Sequence, residues 1–226
     1  MTDVKKVVLL SASPKIGEDS ASDLLVDLQD KQMNLNNLMV TRLNVRQCLT
    51  RRETETAFAA MSEADGLVIT FPLYFFCLPG MLMRFLQDYY EFVLKHREAV
   101  RKAKVYAVVN CGFPEADINQ EAIRVIKNFS DQIGAQFRMG ISIGGGGMLL
   151  GAKDAPIMKK TIAELNQAFL TIANDILGYA SAIPDNIYIQ MRFPRRLYLM
   201  SGNLGWISKA HKHGLKKKDL YRAPYC

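Results

Sequence analysis

The feature that most constrains the fold is a regular alternation of short apolar segments with longer amphipathic ones. Five segments of strand length are rich in apolar residues: Val7–Leu10, Leu38–Leu43, Gly66–Phe71, Val105–Val109 and Ala135–Ile143. Short apolar strands separated by helices are typical of a parallel sheet that is covered on both faces. We therefore predict a doubly wound α/β fold with right-handed crossovers.

Amphipathic segments follow the strands, which predicts five helices. The first begins near Ser20, because Ser20 and Asp23 have the spacing of a capping box. The others are predicted over residues 54–64, 80–95, 118–133 and 155–180. In a doubly wound sheet, ligands bind beyond the carboxyl ends of the strands, so the loops that follow the strands are the candidate sites.

The charge of the chain is unevenly distributed. The 226 residues are 49% apolar, which excludes disorder throughout the chain, and they carry a net charge of +7. Residues 192–226 contain nine of the 29 basic residues and one of the 22 acidic residues, so they carry +8 and leave −1 for residues 1–191. The neutral body therefore gives no indication of nucleic-acid binding.

Patterns for targeting and metal binding are missing from the sequence. No apolar stretch reaches the roughly 20 residues needed to span a bilayer, and the first apolar run is too short for a signal peptide. We therefore expect a cytoplasmic protein. The chain has four cysteines, Cys48, Cys77, Cys111 and Cys226. They lack the spacing of a zinc site and the density of a disulfide framework, so we expect no metal.

The loop after the first strand carries hydroxyl groups and a lysine in front of a predicted helix N-terminus. This combination suits a phosphate, because the helix dipole, the hydroxyls and the cation all stabilise an anion. The candidates are Ser11, Ser13, Lys15, Ser20 and Ser22. The Walker A and G-x-G-x-x-G motifs are missing, which argues against a nucleoside-triphosphate site and against a classical dinucleotide site. Glu18 and Asp19 oppose a phosphate, and a polar turn with a helix cap is the alternative interpretation.

The loop after the third strand, Phe71–Gly80, contains four aromatic residues, two prolines and no charge. Connecting loops are usually polar because they run over the surface. A stiff apolar loop at the binding edge of the sheet predicts a platform for a ring system. Burial under another subunit or under the C-terminal segment is a compatible alternative.

The loop after the fourth strand, Asn110–Glu115, combines two features that suit a ligand. Gly112 allows the backbone to approach a ligand closely, and Phe113 offers an aromatic face. Cys111 is interpreted as a small hydrophobe rather than a nucleophile, because no histidine lies near it in the sequence. The four glycines at 144–147 after the fifth strand predict either an opening for a substrate or a bulged turn.

These loops together resemble the flavodoxin-like family of NAD(P)H-dependent FMN reductases and quinone reductases. The first, Ala12–Lys15, is similar to the family's G-S-P-R/K motif. The second is the most specific, because Phe71–Phe75, Pro79-Gly80 and Arg84–Asp88 are similar to S-P-V-Y-W, P-G and a helix of K-x-F-x-D type. The third, Asn110–Glu115, is similar to a loop in a subset of the family.

The resemblance implies a flavodoxin-like, doubly wound, five-stranded parallel sheet of order 2-1-3-4-5 with helices on both faces. This FMN-binding domain would span residues 1–184, and a basic C-terminal arm would span residues 185–226. The implied cofactor is FMN, which NADPH or NADH would reduce and which would pass electrons to a small acceptor such as a quinone or a flavin. The chemistry would be that of FMN, so no catalytic side chain is predicted. A homodimer or higher homo-oligomer is also implied.

The same resemblance assigns the cofactor contacts to the three loops. The serines and the lysine of the first loop would surround the phosphate of FMN. The second and third loops would contact the two edges of the isoalloxazine ring. These contacts would come from Pro72, Leu73, Tyr74, Phe75 and Phe76 on one edge and from Asn110, Cys111, Gly112 and Phe113 on the other.

Two other functions stay open at this point. A flavodoxin-type electron carrier would bind flavin without acting as an enzyme, although such carriers are usually smaller and acidic. A flavin-free binding module on the same fold is the second, because Ala12 replaces the usual glycine and Glu18 and Asp19 place acid in the phosphate loop.

The segment after Pro184 is basic and aromatic, and its apolar residues Leu197, Met200, Leu204 and Ile207 recur at helical spacing. We favour an arm that packs this apolar stripe on the body or on a partner subunit. Contact with an anionic membrane surface is a less favoured alternative, and contact with nucleic acid is not expected. One of the arginines Arg192, Arg195 and Arg196 could instead bind the phosphate of NADPH.

Overall fold

A computed structural model describes residues 4–16, 19–96, 103–180 and 182–223. Strands and helices alternate along the chain. The strands are β1 (Lys6–Ser11), β2 (Met39–Asn44), β3 (Gly66–Pro72), β4 (Lys104–Asn110), β5 (Gln136–Ile143) and β6 (Ile187–Ile189). The helices are α1 (Ala21–Leu35), α2 (Val45–Arg51), α3 (Thr54–Ser62), α4 (Gly80–Lys95), α5 (Gln120–Gln132), α6 (Gly146–Ala152), α7 (Lys159–Ile176) and α8 (Arg195–Lys212).

The sheet has six strands in the described residues, so the prediction of five strands is wrong. All neighbours pair in parallel in the order β2-β1-β3-β4-β5-β6. The additional strand, β6, is only three residues long and lies in a segment that the sequence assigns to the arm. Its pairing with β5 is supported by Asn186, whose side-chain oxygen accepts a hydrogen bond of 2.6 Å from the backbone N–H of Gly140.

Each face of the sheet has its own apolar core, as the predicted layering requires. Along β1, Val8 and Leu10 pack into one core, whereas Val7 and Leu9 pack into the other. Helices α2 to α5 cover the first core, and α1, α6 and α7 cover the second. The prediction of a parallel α/β sheet with helices on both faces is therefore confirmed.

Several helix boundaries follow from local chemistry. Helix α1 begins where the sequence predicts, because the Ser20 Oγ accepts a hydrogen bond of 3.0 Å from the backbone N–H of Asp23. Helix α7 is shorter than predicted. Pro156 opens a 3-10 turn before it, and Gly178 adopts a φ of 86° just after its end. The sequence did not predict the seven-residue helices α2 and α6.

The chain divides into two compact units, residues 1–191 and residues 192–226. The first contains the whole sheet and helices α1 to α7. The second contains α8 and a 3-10 turn at Lys217–Tyr221.

A buried ion-pair cluster lies at the amino-terminal edge of the sheet. Asp175 near the end of α7 is fully buried, and Arg138 of β5 donates to its two carboxylate oxygens at 2.8 and 2.7 Å. The Tyr106 hydroxyl donates to the same carboxylate at 2.6 Å, and the Lys104 Nζ lies 3.7 Å from it. The cluster connects α7 to β4 and β5.

The electrostatics of the cluster favour the ionised carboxylate. Burial alone would raise the pKa of Asp175, but the hydrogen bonds from Arg138 and Tyr106 and the charge of Lys104 outweigh it, so the pKa is lowered. Burial and the neighbouring carboxylate raise the pKa of Tyr106. The Asp175 carboxylate therefore stays charged at neutral pH and serves as the counter-ion of Arg138.

Candidate functional site

A cavity of about 180 Å³ lies at the carboxyl ends of β1, β3 and β4, where the sequence predicts the binding edge. Ten of the fourteen predicted site residues line it, so the three loops meet at one place. They are Ser13, Lys15, Ser20, Ser22, Pro72, Leu73, Tyr74, Asn110, Cys111 and Gly112. Pro14, Ala21 and three residues of α6, Gly146, Gly147 and Leu150, complete the lining.

Asn110 joins two of the loops at the end of β4. Its Nδ2 donates to the Ser22 Oγ at 2.9 Å and to the backbone oxygen of Phe71 at 3.2 Å. Asn110 is buried, and this pair of bonds fixes the start of α1 against the ends of β3 and β4. The Ser22 hydroxyl accepts from Asn110 and keeps its own hydrogen for another acceptor.

Asp23 holds two of the hydroxyls that the sequence assigns to a phosphate. The Ser11 Oγ donates to one of its carboxylate oxygens at 2.7 Å, and the Ser20 Oγ donates to the other at 2.6 Å. Ser11 thus faces a neighbouring polar cleft that contains Asp23 rather than the cavity. The N-terminus of α1 therefore already has an anion beside it, supplied by its own chain.

The sequence identifies Asp23 only as part of a helix cap. The S-x-x-D pattern was the available signal, because it places a carboxylate over the same helix end that a phosphate would use. Asp19 is exposed, and its backbone oxygen lies 3.5 Å from the Lys15 Nζ. Glu18, predicted to oppose a phosphate, and Cys226 lie outside the described residues.

The aromatic loop makes a tight two-residue turn. Tyr74 and Cys77 exchange backbone hydrogen bonds of 2.9 and 2.8 Å, and the two residues between them, Phe75 and Phe76, have φ values of 47° and 60°. Positive φ at both central positions is the geometry that hairpin turns usually fill with glycine or asparagine. Two phenylalanines there store backbone strain of about 1–3 kcal/mol each.

The turn presents its rings to the surface beside the cavity. The Phe75 side chain is 99% exposed, and Phe76 stacks on Phe113 with ring centroids 6.4 Å apart. Phe75, Phe76 and Phe113, all predicted to contact the cofactor, thus lie outside the cavity lining. The stacked pair nevertheless connects the second loop with the third.

Replacement of Phe75 by glycine is expected to stabilise the protein by about 1 kcal/mol, because glycine adopts positive φ without strain. The exposed ring contributes no packing that would be lost. Thermal unfolding should show a rise in Tm of about 2–4 °C. Phe75→Ala removes the same ring and keeps the strained conformation, so its Tm should stay close to the original. Equal Tm values for the glycine and alanine variants would contradict the strain argument.

Cys111 is a buried thiol rather than a nucleophile in this structure. Its Sγ lies 3.5 Å from the backbone oxygen of Phe113 and 3.6 Å from that of Glu115. Burial raises the pKa of the Cys111 thiol, which keeps it protonated at neutral pH. This placement agrees with its interpretation as a small hydrophobe.

Glycines allow α6 to approach the site closely. A Cβ on Gly146 would lie 2.8 Å from the Asn110 Oδ1, and a Cβ on Gly144 would collide with the backbone oxygen of Pro114. By contrast, a Cβ on Gly112 or Gly147 would meet no atom within 4 Å, although both residues line the cavity. The glycine run therefore forms a helix start at the cavity, where the sequence predicted an opening or a bulged turn.

The described part of the chain has neither a metal-binding cluster nor a membrane-spanning helix. No cluster of three or more His, Cys, Asp or Glu side chains in it could hold a metal ion. None of its helices combines the length and the apolar character that crossing a membrane requires.

Comparison with known proteins identifies the fold. No family model matches the sequence, and no curated protein is significantly similar to it. An NADPH-quinone reductase from P. pentosaceus is 15% identical and superposes with a TM-score of 0.58 over 74% of this chain and 97% of that one. The general stress protein 14 of Treponema denticola, solved in complex with FMN, is 17% identical, with a TM-score of 0.54 over 76% and 99%.

An NADH:FMN oxidoreductase in its apo form is 16% identical, with a TM-score of 0.55 over 79% of this chain and 92% of that one. The fold is flavodoxin-like. At such low identities the likeness concerns the arrangement of strands and helices.

Proposed function

We propose that the protein is an oxidoreductase that binds FMN and transfers electrons from NADPH or NADH to a small acceptor such as a quinone or a flavin. The observation that carries the proposal is the convergence of ten predicted cofactor residues on one cavity at the carboxyl edge of the sheet. Flavodoxin-like structural neighbours named for NADPH-quinone reduction, NADH:FMN oxidoreduction and FMN binding support it.

The residues at the cavity fit a molecule with a phosphate at one end and a flat ring at the other. Hydroxyls and one cation stand at the start of α1, where an anion is stabilised. An apolar, proline-containing loop and a glycine that leaves room for a ligand stand on the other side. One cavity thus offers hydrogen-bond donors and a cation to the phosphate of FMN and an apolar surface to its ring.

Each loop residue then has a defined role. Ser13, Lys15 and Ser22 would hold the phosphate, and Ser20 would join them if its hydroxyl turned away from the Asp23 carboxylate, to which it now donates. Pro72, Leu73, Tyr74, Asn110 and Gly112 would contact the ring. Bound FMN would supply hydride and electron transfer, while the protein binds and orients its ring. No side chain is assigned a proton-transfer role, and Cys111 contributes packing.

The size of the cavity limits how much of the cofactor it can enclose. Small-molecule sites usually measure about 300–1,000 Å³, whereas this cavity measures about 180 Å³. FMN would not fit wholly inside it. Part of the molecule would lie outside the cavity, where Phe76 and Phe113 expose their stacked rings.

One observation favours a second function, a flavin-free module that binds a ligand without a phosphate. The Asp23 carboxylate already engages the hydroxyls of Ser11 and Ser20 at the start of α1. A ligand without negative charge would leave these bonds in place. Binding of FMN separates the two functions, and oxidation of NADPH separates the enzyme from an electron carrier. The homodimer and the cytoplasmic location stay predictions.

Gly147→Leu tests whether the cavity is the flavin site. A side chain at Gly147 meets no protein atom within 4 Å of its Cβ but occupies space at the cavity. We expect FMN affinity, followed by quenching of flavin fluorescence on titration, to fall by roughly 100-fold, because a filled site excludes the ligand. The Tm of the variant should change little.

Gly151→Leu is the matched control. Gly151 lies one turn further along α6, has equally open space at its Cβ and does not line the cavity. Its variant should bind FMN as the original protein does. Equal FMN affinity for the original protein and the Gly147 variant would place the flavin elsewhere and overturn the proposed site.

A further inference from the structure

Helix α8 carries large apolar side chains that are exposed to solvent. Leu197, Leu199, Met200, Leu204 and Trp206 are between 44% and 66% exposed. Five such residues on one 18-residue helix are an unusual surface for a protein in water.

These side chains lie within one half of the helix surface. At about 100° per residue, Leu197, Met200 and Leu204 form one strip, and Leu199 and Trp206 form a second strip about 140° around the helix. The arc between the two strips holds Ile207 and Ala210 together with Arg196 and Asn203. Lys209 and Lys212 fall on the opposite side and are exposed. The Lys209 Nζ lies 5.9 Å from the centre of the Trp206 ring, at the border between the two sides.

The charge of the unit identifies the class of surface that would accept this helix. Helix α8 contains no acidic residue, and residues 192–226 carry +8 overall. Lys216, Lys217 and Lys218 follow it and are exposed. An apolar side for insertion, cations beside it and an interfacial tryptophan are the properties of helices that lie on anionic bilayers.

We infer that α8 is a membrane-surface helix, which binds the protein to bilayers that contain anionic lipids. The helix lies in the interface: its apolar side enters the boundary between headgroups and acyl chains, and its lysines stay with the headgroups. It does not cross the bilayer, in keeping with the finding for the described helices. The inference concerns residues 192–226 only and does not depend on the proposed function.

Charge and composition argue against the two other partners. A second copy of the unit would bring another +8 against the first, so like charges would repel. Nucleic acid would use the lysines, but its phosphates offer nothing to the exposed leucines and methionine. An anionic bilayer is the partner that satisfies both the charge and the apolar side chains.

Trp206 makes the test direct, because it is the single tryptophan of the chain. Its emission in the full-length protein is recorded while vesicles are added. With equal parts of phosphatidylglycerol and phosphatidylcholine, the emission should move to shorter wavelength, and high salt should weaken the change. Vesicles of phosphatidylcholine alone should produce a much smaller change.

Charge variants provide the matched comparison. Each basic residue near an anionic surface is worth about fivefold in binding, so Lys209→Glu combined with Lys212→Glu should lower the partition coefficient at least about 25-fold. Lys159→Glu combined with Lys160→Glu makes the same change on exposed lysines of α7 and should have little effect. Leu204→Gln, which keeps every charge, should also weaken binding.

Three results would overturn the inference. The first is an unchanged Trp206 emission with anionic vesicles, and the second is equal weakening by the two lysine pairs. The third is a shift that occurs without vesicles, either with rising protein concentration or with a duplex oligonucleotide, because it would assign the helix to a second copy or to nucleic acid.

Discussion

Replacement of Asp175 by asparagine is expected to lower the free energy of unfolding by about 3–5 kcal/mol. The variant leaves the Arg138 guanidinium, which is 8% exposed, without its counter-ion in the interior. It also weakens the carboxylate contacts of Tyr106 and Lys104. Urea denaturation followed by circular dichroism measures the loss.

A double replacement separates the loss of charge pairing from the loss of packing. Asp175→Leu combined with Arg138→Met removes both charges and keeps apolar volume, so it should recover much of the stability lost in the single variant. If Asp175→Asn lowers the free energy of unfolding by less than about 1 kcal/mol, the cluster is not a buried ion pair in solution.

The same carboxylate sets a pH dependence with a defined sign. Because the folded protein lowers the pKa of Asp175, its stabilising contribution is complete above the ordinary aspartate pKa of about 3.9. The contribution is lost as the pH falls below that value and through the folded pKa. The difference in stability between the original protein and Asp175→Asn should therefore narrow in acid. A constant difference from pH 7 down to pH 2 would contradict this assignment.

Replacement of Asp23 by asparagine is expected to strengthen FMN binding. The Asp23 carboxylate accepts hydrogen bonds from the Ser11 and Ser20 hydroxyls, so these hydroxyls are not available as donors to a phosphate. A phosphate bound there would also meet the negative charge of Asp23. Two like charges about 4 Å apart repel by about 4 kcal/mol at an effective dielectric constant of about 20. Relief of half of that repulsion is roughly a thirtyfold gain in affinity. Equilibrium titration of apoprotein with FMN measures it.

Riboflavin and a neighbouring aspartate provide the controls. Riboflavin has no phosphate, so Asp23→Asn should leave its affinity nearly unchanged. Asp27→Asn removes the same charge one helical turn further along α1, where Asp27 pairs with Arg42 at 2.6 Å, and should have a much smaller effect on FMN. Equal gains for FMN and riboflavin would show that Asp23 does not act on the phosphate.

Most of the fold could be predicted because its signals are local. Gly66–Pro72 and Lys104–Asn110 are apolar on both faces, and the capping pattern at Ser20 marks the start of α1. The edge strand β6 could not be predicted, since three residues carry too little periodicity. Helix α6 could not be predicted either, because it is rich in glycine, which usually weakens helices. In this structure the missing side chain of Gly146 allows its backbone to approach Asn110 closely.

The site was predicted in outline, because the carboxyl ends of parallel strands must meet at one edge of the sheet. What the sequence could not supply was the direction of individual side chains. Ser11 lies two residues before Ser13, which lines the cavity, yet the Ser11 hydroxyl donates to Asp23 instead. Phe75 belongs to an apolar loop, yet the positive φ values of the turn direct its ring into solvent.

The most direct test of the proposed function is an anaerobic absorption titration. The protein is loaded with FMN, and NADPH and NADH are added in turn while the visible flavin bands are recorded. We predict that the bands bleach with one of the two reductants and return when a quinone is added. No uptake of FMN, or flavin bands that neither reductant bleaches, would contradict an FMN-dependent NAD(P)H oxidoreductase.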